Sequence, residues 1–206
     1  MNLELTKHDR AMLAGEHGRA AQMAMGILAT MAGVYGAPRL LDIESAHIDG
    51  CLYHGFSGLE FARRLVEGGA QVCVPTTLNV GAVDLLHPQY FQGTAEVGRH
   101  AQELMQAYVQ MGCRPIFTCA PYQDPQRPEL GMQIAWAESN AIVFANSALG
   151  ARTNRYGDFL DICCAITGRA PYFGLHKAEN RFAEVVFNVS KLPSSLVASE
   201  MFYPVL

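Results

Sequence analysis

The 206-residue chain has no uninterrupted apolar run approaching the roughly 18 residues that a membrane-spanning helix needs. Its opening, "MNLELTKHDRAML", is polar where a secretory signal would be basic and then greasy. It has little charge of either sign and no long like-charged run. A formal net charge of −4 therefore gives no electrostatic footprint for a nucleic-acid groove or an anionic membrane. Six cysteines are present without a CxxC pair or zinc-finger spacing. Irregular spacing in a chain of this size points to free thiols or metal ligands of a reducing compartment before disulfides. Internal repeats, low-complexity tracts and obvious linkers are also missing. The expectation is a cytoplasmic protein with small-molecule partners, and 50% apolar residues give it the means to bury a sizeable core.

Thr6 followed by Asp9 resembles a capping box, and Ala24, Ile27, Leu28, Met31 and Val34 recur at helical spacing until Gly36 and Pro38. "RLLDIES" (39–45) reads as a strand, "GLEFARRLVEGG" (58–69) as an amphipathic helix and "QVCVPTT" (71–77) as a buried strand. "TAEVGRHAQELMQAYVQMG" (94–112) reads as a helix with a terminal glycine, and "RPIFTCA" (114–120) as a third strand. Such alternation predicts an α/β fold, with layered helices around a largely parallel sheet. Beyond it, "MQIAWAE" and "AEVVFNVS" (183–190) suit strands, "SNAIVFANSALG" and "YGDFLDICCAITG" suit helices, and "FYPVL" is an apolar tail.

In open parallel sheets, ligands occupy the crevice beyond the carboxyl ends of the strands. Three segments are expected there: "AHIDGCLYHG", "TTLNVGAVD" and "CAPYQDPQRPELG". They carry His47, Asp49, Cys51, His54, Thr76, Thr77, Asn79, Cys119 and Tyr122. Taken alone, each of His47 and His54 reads first as a hydrogen-bonded loop residue, while Thr76, Thr77 and Asn79 are equally readable as groups that satisfy a turn. Cys73, between two valines, reads as a core residue, as do Cys163 and Cys164, whose side chains diverge on a helix. Cys113 falls at a helix-to-strand junction, at the opposite sheet edge from Cys119. Cys119 ends the third strand, with Pro121 beyond it, and its thiol suits either a nucleophile or a soft-metal ligand. Arg152 and Arg155, flanking Asn154, suit an acidic substrate or a solvated turn. Glu138 suits a helix cap or an arginine partner.

Five ordered motifs carry a family resemblance: "SAHIDGCLYHG", "VPTTLNVGAVDLLHP", "TCAPYQ", "QIAWAESNAIVFANSALGARTNRYGDF" and "GLHKAENR". Together they resemble the catalytic region of aconitase X, a branch of the aconitase superfamily, from about Leu5 to Pro193. The resemblance implies the N-terminal portion of an aconitase-like catalytic domain over residues 1–193, with 194–206 as the C-terminal tail of a truncated chain. It also implies an iron–sulfur hydro-lyase. The wording "DGCLYHG", "LNVGAVDLLHP" and "RYGDFLDIC" resembles the bacterial cis-3-hydroxy-L-proline dehydratases more than the archaeal phosphomevalonate dehydratases.

Carried over on matching positions, the resemblance makes Cys119 a cluster ligand and places Gly50, Cys51, Leu52, Asn79 and Val80 against the substrate. An exposed iron would act as a Lewis acid on the leaving hydroxyl of a small hydroxy acid. The family's other cluster cysteines and its swivelling domain, thought to contribute the base, lie beyond the matched region. The expectation is a partial site completed by a C-terminal half and swivel domain, or by a separate small subunit. The isolated chain is then not expected to turn over substrate. Two rivals remain: a phosphomevalonate dehydratase-type large subunit, and a non-catalytic module that uses Asn79 and the arginines to hold a small acid. A covalent Cys119 nucleophile would need a cysteine–histidine constellation that the sequence does not supply.

Overall fold

A computed structural model describes residues 3–186 and 188–197. Helix α1 (Lys7–Leu13) opens on the expected capping box: the Thr6 hydroxyl accepts from the Asp9 amide, and the Asp9 carboxylate from that of Thr6. Helix α2 (Arg19–Val34) follows and buries Ala24, Met25, Leu28 and Ala32. Asp9 is fully buried and pairs with Arg169 at 2.9 Å, tying the chain's start to a strand 160 residues later.

The expected 39–45 strand is two strands serving different sheets. β1 (Leu40–Asp42) runs antiparallel to β5 (Arg169–Pro171), and β2 (Ser45–Ile48) begins after the chain has changed partners. The change falls between them, where Ile43 donates to the Gly168 carbonyl and Glu44 to that of Gln133. β2 is the centre of a parallel three-stranded sheet in the order β3–β2–β4, with β3 at Thr76–Leu78 and β4 at Ile134–Trp136. The parallel α/β expectation therefore holds, around a small sheet.

Two other expected strands give way. In 71–75, Val72 and Cys73 donate to the carbonyls of Met111 and Ala165, and Pro75 has no amide to donate, so pairing begins only at Thr76. Cys73 is consequently exposed rather than part of the core. In 114–120 a single bridge joins Arg114 to Thr77. Pro115 then removes a donor and Phe117 takes a left-handed φ of 44°, which breaks the extended run. Among the described residues of 183–190 there is no strand: Val185 and Val186 are exposed, and the Asn188 side chain turns back on Ser190. The "FYPVL" segment lies outside the described residues.

The helices follow expectation more closely. α3 (Phe56–Glu67) and α4 (Ala95–Gln110, capped by Thr94) pack on each other, and α3 also packs on α2. α5 (Ser139–Phe144) starts at the expected serine and widens into a π turn, Ala145–Leu149, before Gly150 ends it at φ 72°. α6 (Leu160–Thr167) is buried along its whole length and lies under the parallel sheet. Its Cys163 and Cys164 are core residues.

Candidate functional site

Strand register builds the site. His47 of β2 lies opposite Thr77 of β3 and Trp136 of β4, and opposed residues of parallel strands share a sheet face. Two residues further along the same face come Asp49, Asn79 and Glu138, at the carboxyl ends of the three strands. The first row is closed by a 2.8 Å hydrogen bond between His47 Nδ1 and Thr77 Oγ1. His47 is fully buried, its Nε2 has no partner among the described residues, and burial depresses its pKa to about 4, so the imidazole is neutral.

The second row is the polar centre. Asn79, 1% exposed, donates from Nδ2 to Asp49 Oδ1 at 2.5 Å and to Glu138 Oε2 at 2.7 Å. Its Oδ1 accepts from the Val80 amide at 2.8 Å. One buried amide thus holds two carboxylates together, and no described cation forms an ion pair with either. Glu138 Oε1 also accepts from the Ser139 amide, so the carboxylate caps α5.

Cys119 reaches this row from a loop rather than from a strand end. Asn140, on α5, donates to the Cys119 carbonyl at 2.9 Å and fixes the loop against the site. The thiol is half-buried. Burial and the charges of Glu138 and Asp49 push its pKa up, against hydrogen bonds from the Val80 amide and the Asn79 side chain. The thiol therefore lies within electrostatic reach of both carboxylates, near the Asn79–Val80 turn. A nucleophile needs the opposite shift and an adjacent base; His54 is exposed and His47 is committed to Thr77.

The segment after β2 is held from below. The amides of Asp49 and Gly50 both donate to Asp161 Oδ2, at 2.9 and 3.0 Å, and the Ile162 amide donates to Oδ1 at 2.6 Å. Burial raises the Asp161 carboxyl to about 7, with Asp158 adding to the effect and the three amides opposing it. Cys51 is sealed at 0% exposure, its thiol 3.3 Å from the Asn79 carbonyl, and burial beside Asp161 and Asp49 raises its pKa. Gly50 is buried, Leu52 half-buried and Val80 exposed at the rim.

Other sequence candidates lie elsewhere. Thr76 bonds back to the Val74 carbonyl, and Tyr122 stacks on Phe144 at 4.1 Å. Asn154 holds the 173–175 turn through Phe173 and Leu175, while the Arg155 side chain is exposed. Asp161 and Tyr108 were not among the candidates. The only signal in the sequence was one acid inside the otherwise apolar run "LDICCAI".

An iron–sulfur cluster needs several thiolates. Cys119 fits one corner: a half-buried thiol at the site's edge. Cys51, Cys113, Cys163 and Cys164 are buried in the core and Cys73 is tied to Ala165 under α6. Among the described residues, no group of three or more His, Cys, Asp or Glu side chains could hold a metal ion. No described helix is long and apolar enough to cross a membrane.

The family model "Aconitase X first domain" matches residues 2–179. The chain belongs to the aconitase X family. This aconitase X segment is 52% identical over 202 residues to a cis-3-hydroxy-L-proline dehydratase of Pseudomonas aeruginosa, covering 98% of the chain and 34% of that protein. It is 49% identical over 207 residues to the enzyme of that name from Hypocrea jecorina, again 34% of its length. The phosphomevalonate dehydratase large subunit of Thermococcus kodakarensis is 44% identical over 90% of the chain and 46% of the relative. A crystal structure of T. kodakaraensis aconitase X in its holo-form superposes with a TM-score of 0.78 at 44% identity, over 86% of this chain and 44% of that one. The chain thus spans about a third of the two hydroxyproline dehydratases and under half of the archaeal subunit.

Proposed function

We propose that this aconitase X segment forms one wall of a hydro-lyase site that dehydrates a small hydroxy acid, cis-3-hydroxy-L-proline before phosphomevalonate. The single observation that carries the reading is the convergence of Cys119, Asn79, Asp49 and Glu138 at the carboxyl edge of the β3–β2–β4 sheet, in a chain of this family. The substrate preference follows the relatives: 52% and 49% identity to hydroxyproline dehydratases against 44% to an archaeal large subunit.

In this reading Cys119 supplies one thiolate to an iron–sulfur cluster, whose remaining ligands come from outside the segment. When bound, the cluster supplies a Lewis acid for the leaving hydroxyl. The backbone of Gly50–Leu52 and of Asn79–Val80 lines the substrate, and Asn79 keeps the Asp49 and Glu138 carboxylates fixed at the mouth. The electronegative rim suits a cationic centre and the protonated imino group of a cyclic amino acid. The base that removes the proton, and a further domain or a separate small subunit closing the site, are assigned to the part of the enzyme these residues do not include.

The test joins this segment to the remaining length its relatives carry, loads the protein with iron and sulfide, and assays both substrates. Expected are visible cluster absorption and loss of water from cis-3-hydroxy-L-proline, both abolished by Cys119→Ser. Turnover that survives this change would overturn the cluster assignment. Preferential dehydration of phosphomevalonate would overturn the substrate. Iron-independent binding of hydroxyproline without turnover would favour a non-catalytic module.

A further inference from the structure

We propose that Asp161 is a positioning residue for the reaction: from α6, under the sheet, it clamps the Asp49–Leu52 turn and through Asp49 sets the Asn79–Cys119 row. The inference rests on the proposed function for its kinetic arm only.

The clamp has two jaws. On one side, Asp161 Oδ2 accepts the Asp49 and Gly50 amides together, across 112 and 111 residues of sequence, while Leu52 closes a turn onto the Asp49 carbonyl at 3.0 Å. On the other side stands Tyr108 of α4, fully buried. A Cβ on Gly50 would lie 2.8 Å from the Tyr108 hydroxyl and 3.5 Å from Asp161 Oδ1. A side chain at this position would run into the Tyr108 hydroxyl beside the Asp161 carboxylate, so the close approach requires glycine.

The clamped turn is mechanically linked to the site. Asp49, whose amide is held by Asp161, offers its own carboxylate to Asn79 at 2.5 Å. Asn79 in turn orders the Val80 amide and holds Glu138, the cap of α5, whose Asn140 donates to the Cys119 carbonyl. A displacement of the turn therefore moves the groups assigned to substrate and cluster.

The approach to Asp161 is itself constrained. Phe159, two residues earlier, caps α6 at φ 75°, a left-handed conformation unfavourable for an aromatic residue, with its ring edge-on to Phe61 at 4.7 Å. Such strain persists where the surroundings over-determine it and recurs at sites of positioning. Above about pH 7, where the Asp161 carboxyl is ionised, both its oxygens only accept, and the comparison is made there: in Asp161→Asn one acceptor becomes a donor, facing either the Ile162 amide or the paired amides of Asp49 and Gly50.

The experiment uses the full-length, cluster-loaded enzyme carrying this segment. Asp161→Asn is expected to keep its helical circular dichroism and to lose amide-exchange protection in the 46–55 peptide while the 95–110 helix is unchanged. The expected fall in kcat/KM is about ten-fold or more. Unchanged protection of 46–55, or a loosened turn with kcat/KM within about two-fold of the parent, would overturn the proposal.

If the parent enzyme does not dehydrate hydroxyproline, the functional reading fails by itself. Iodoacetamide alkylation of Cys119 in the cluster-free protein then decides: a rate altered about three-fold or more by Asp161→Asn supports the clamp, and an unaltered rate overturns it. If Asp161→Asn does not fold, Gly50→Ala strikes the same clamp from the other side. Its activity, or its Cys119 alkylation rate if the parent is inactive, is expected to be impaired and largely restored by adding Tyr108→Phe. No impairment, or no restoration, would contradict the proposal.

Discussion

Asn79 is the residue on which the site turns, because its side chain satisfies three partners that have no substitute nearby. Asn79→Leu leaves the Val80 amide unpaired and removes the donor shared by the two carboxylates. It should cost about 1–3 kcal/mol, read as a lowered urea midpoint. The buried titratable residues give a second prediction. His47 and His176 are held neutral by burial, with pKa values near 4; the unfolded chain protonates both near 6.5. Between those values the unfolded state binds two protons that the folded state does not. Asp161, raised to about 7, offsets one by holding a proton that the unfolded state releases. Stability should therefore fall by ~1.4 kcal/mol per unit as pH drops from 6.5 towards 4. Asp161→Asn should about double that slope in denaturation curves, and an unchanged slope would contradict the assignment.

At the scale of elements, capping and periodicity were the legible part. The Thr6–Asp9 box, the serine start of α5 and its glycine stop lie where local chemistry puts them. Thr6→Ala removes the box and one of the groups that hold the Asp9 carboxyl low beside Arg169, against burial. About 1–2 kcal/mol should be lost, measured as a reduced melting temperature. Strands were less legible, because each is only three or four residues long and its partner lies far along the chain. Nothing local to "RLLDIES" says that Leu41 pairs with Ala170 while Ala46 pairs with Thr76 and Ala135. In "RPIFTCA" the β-branched and aromatic composition is overridden by Pro115 and by the left-handed Phe117.

For the whole molecule, the crevice rule led to the polar cluster proposed as the site even though one strand it invoked is a loop. The register of two parallel strands plus the cap of α5 suffices to bring Asp49, Asn79 and Glu138 together, and Asn140 draws Cys119 in. The clamp from α6 was not legible, because it depends on backbone amides more than a hundred residues away. Beside the site, Val80 to Leu86, Met105, Ile116 and Phe117 line an open groove of about 720 Å³, with Leu86 84% exposed. Apolar surface of this kind draws hydrophobic dyes. The 206-residue chain should enhance anilinonaphthalene sulfonate fluorescence at neutral pH while keeping its helical signal, and Leu86→Lys should reduce the enhancement.

The most direct measurement is cysteine labelling by mass spectrometry, on the full-length protein before and after cluster loading. Cys73 and Cys119 are the two cysteines that are not buried. Cys119 should be alkylated in the cluster-free protein and protected once the cluster is bound, while Cys73 is labelled equally in both. Equal labelling of Cys119 in the two forms would contradict the account.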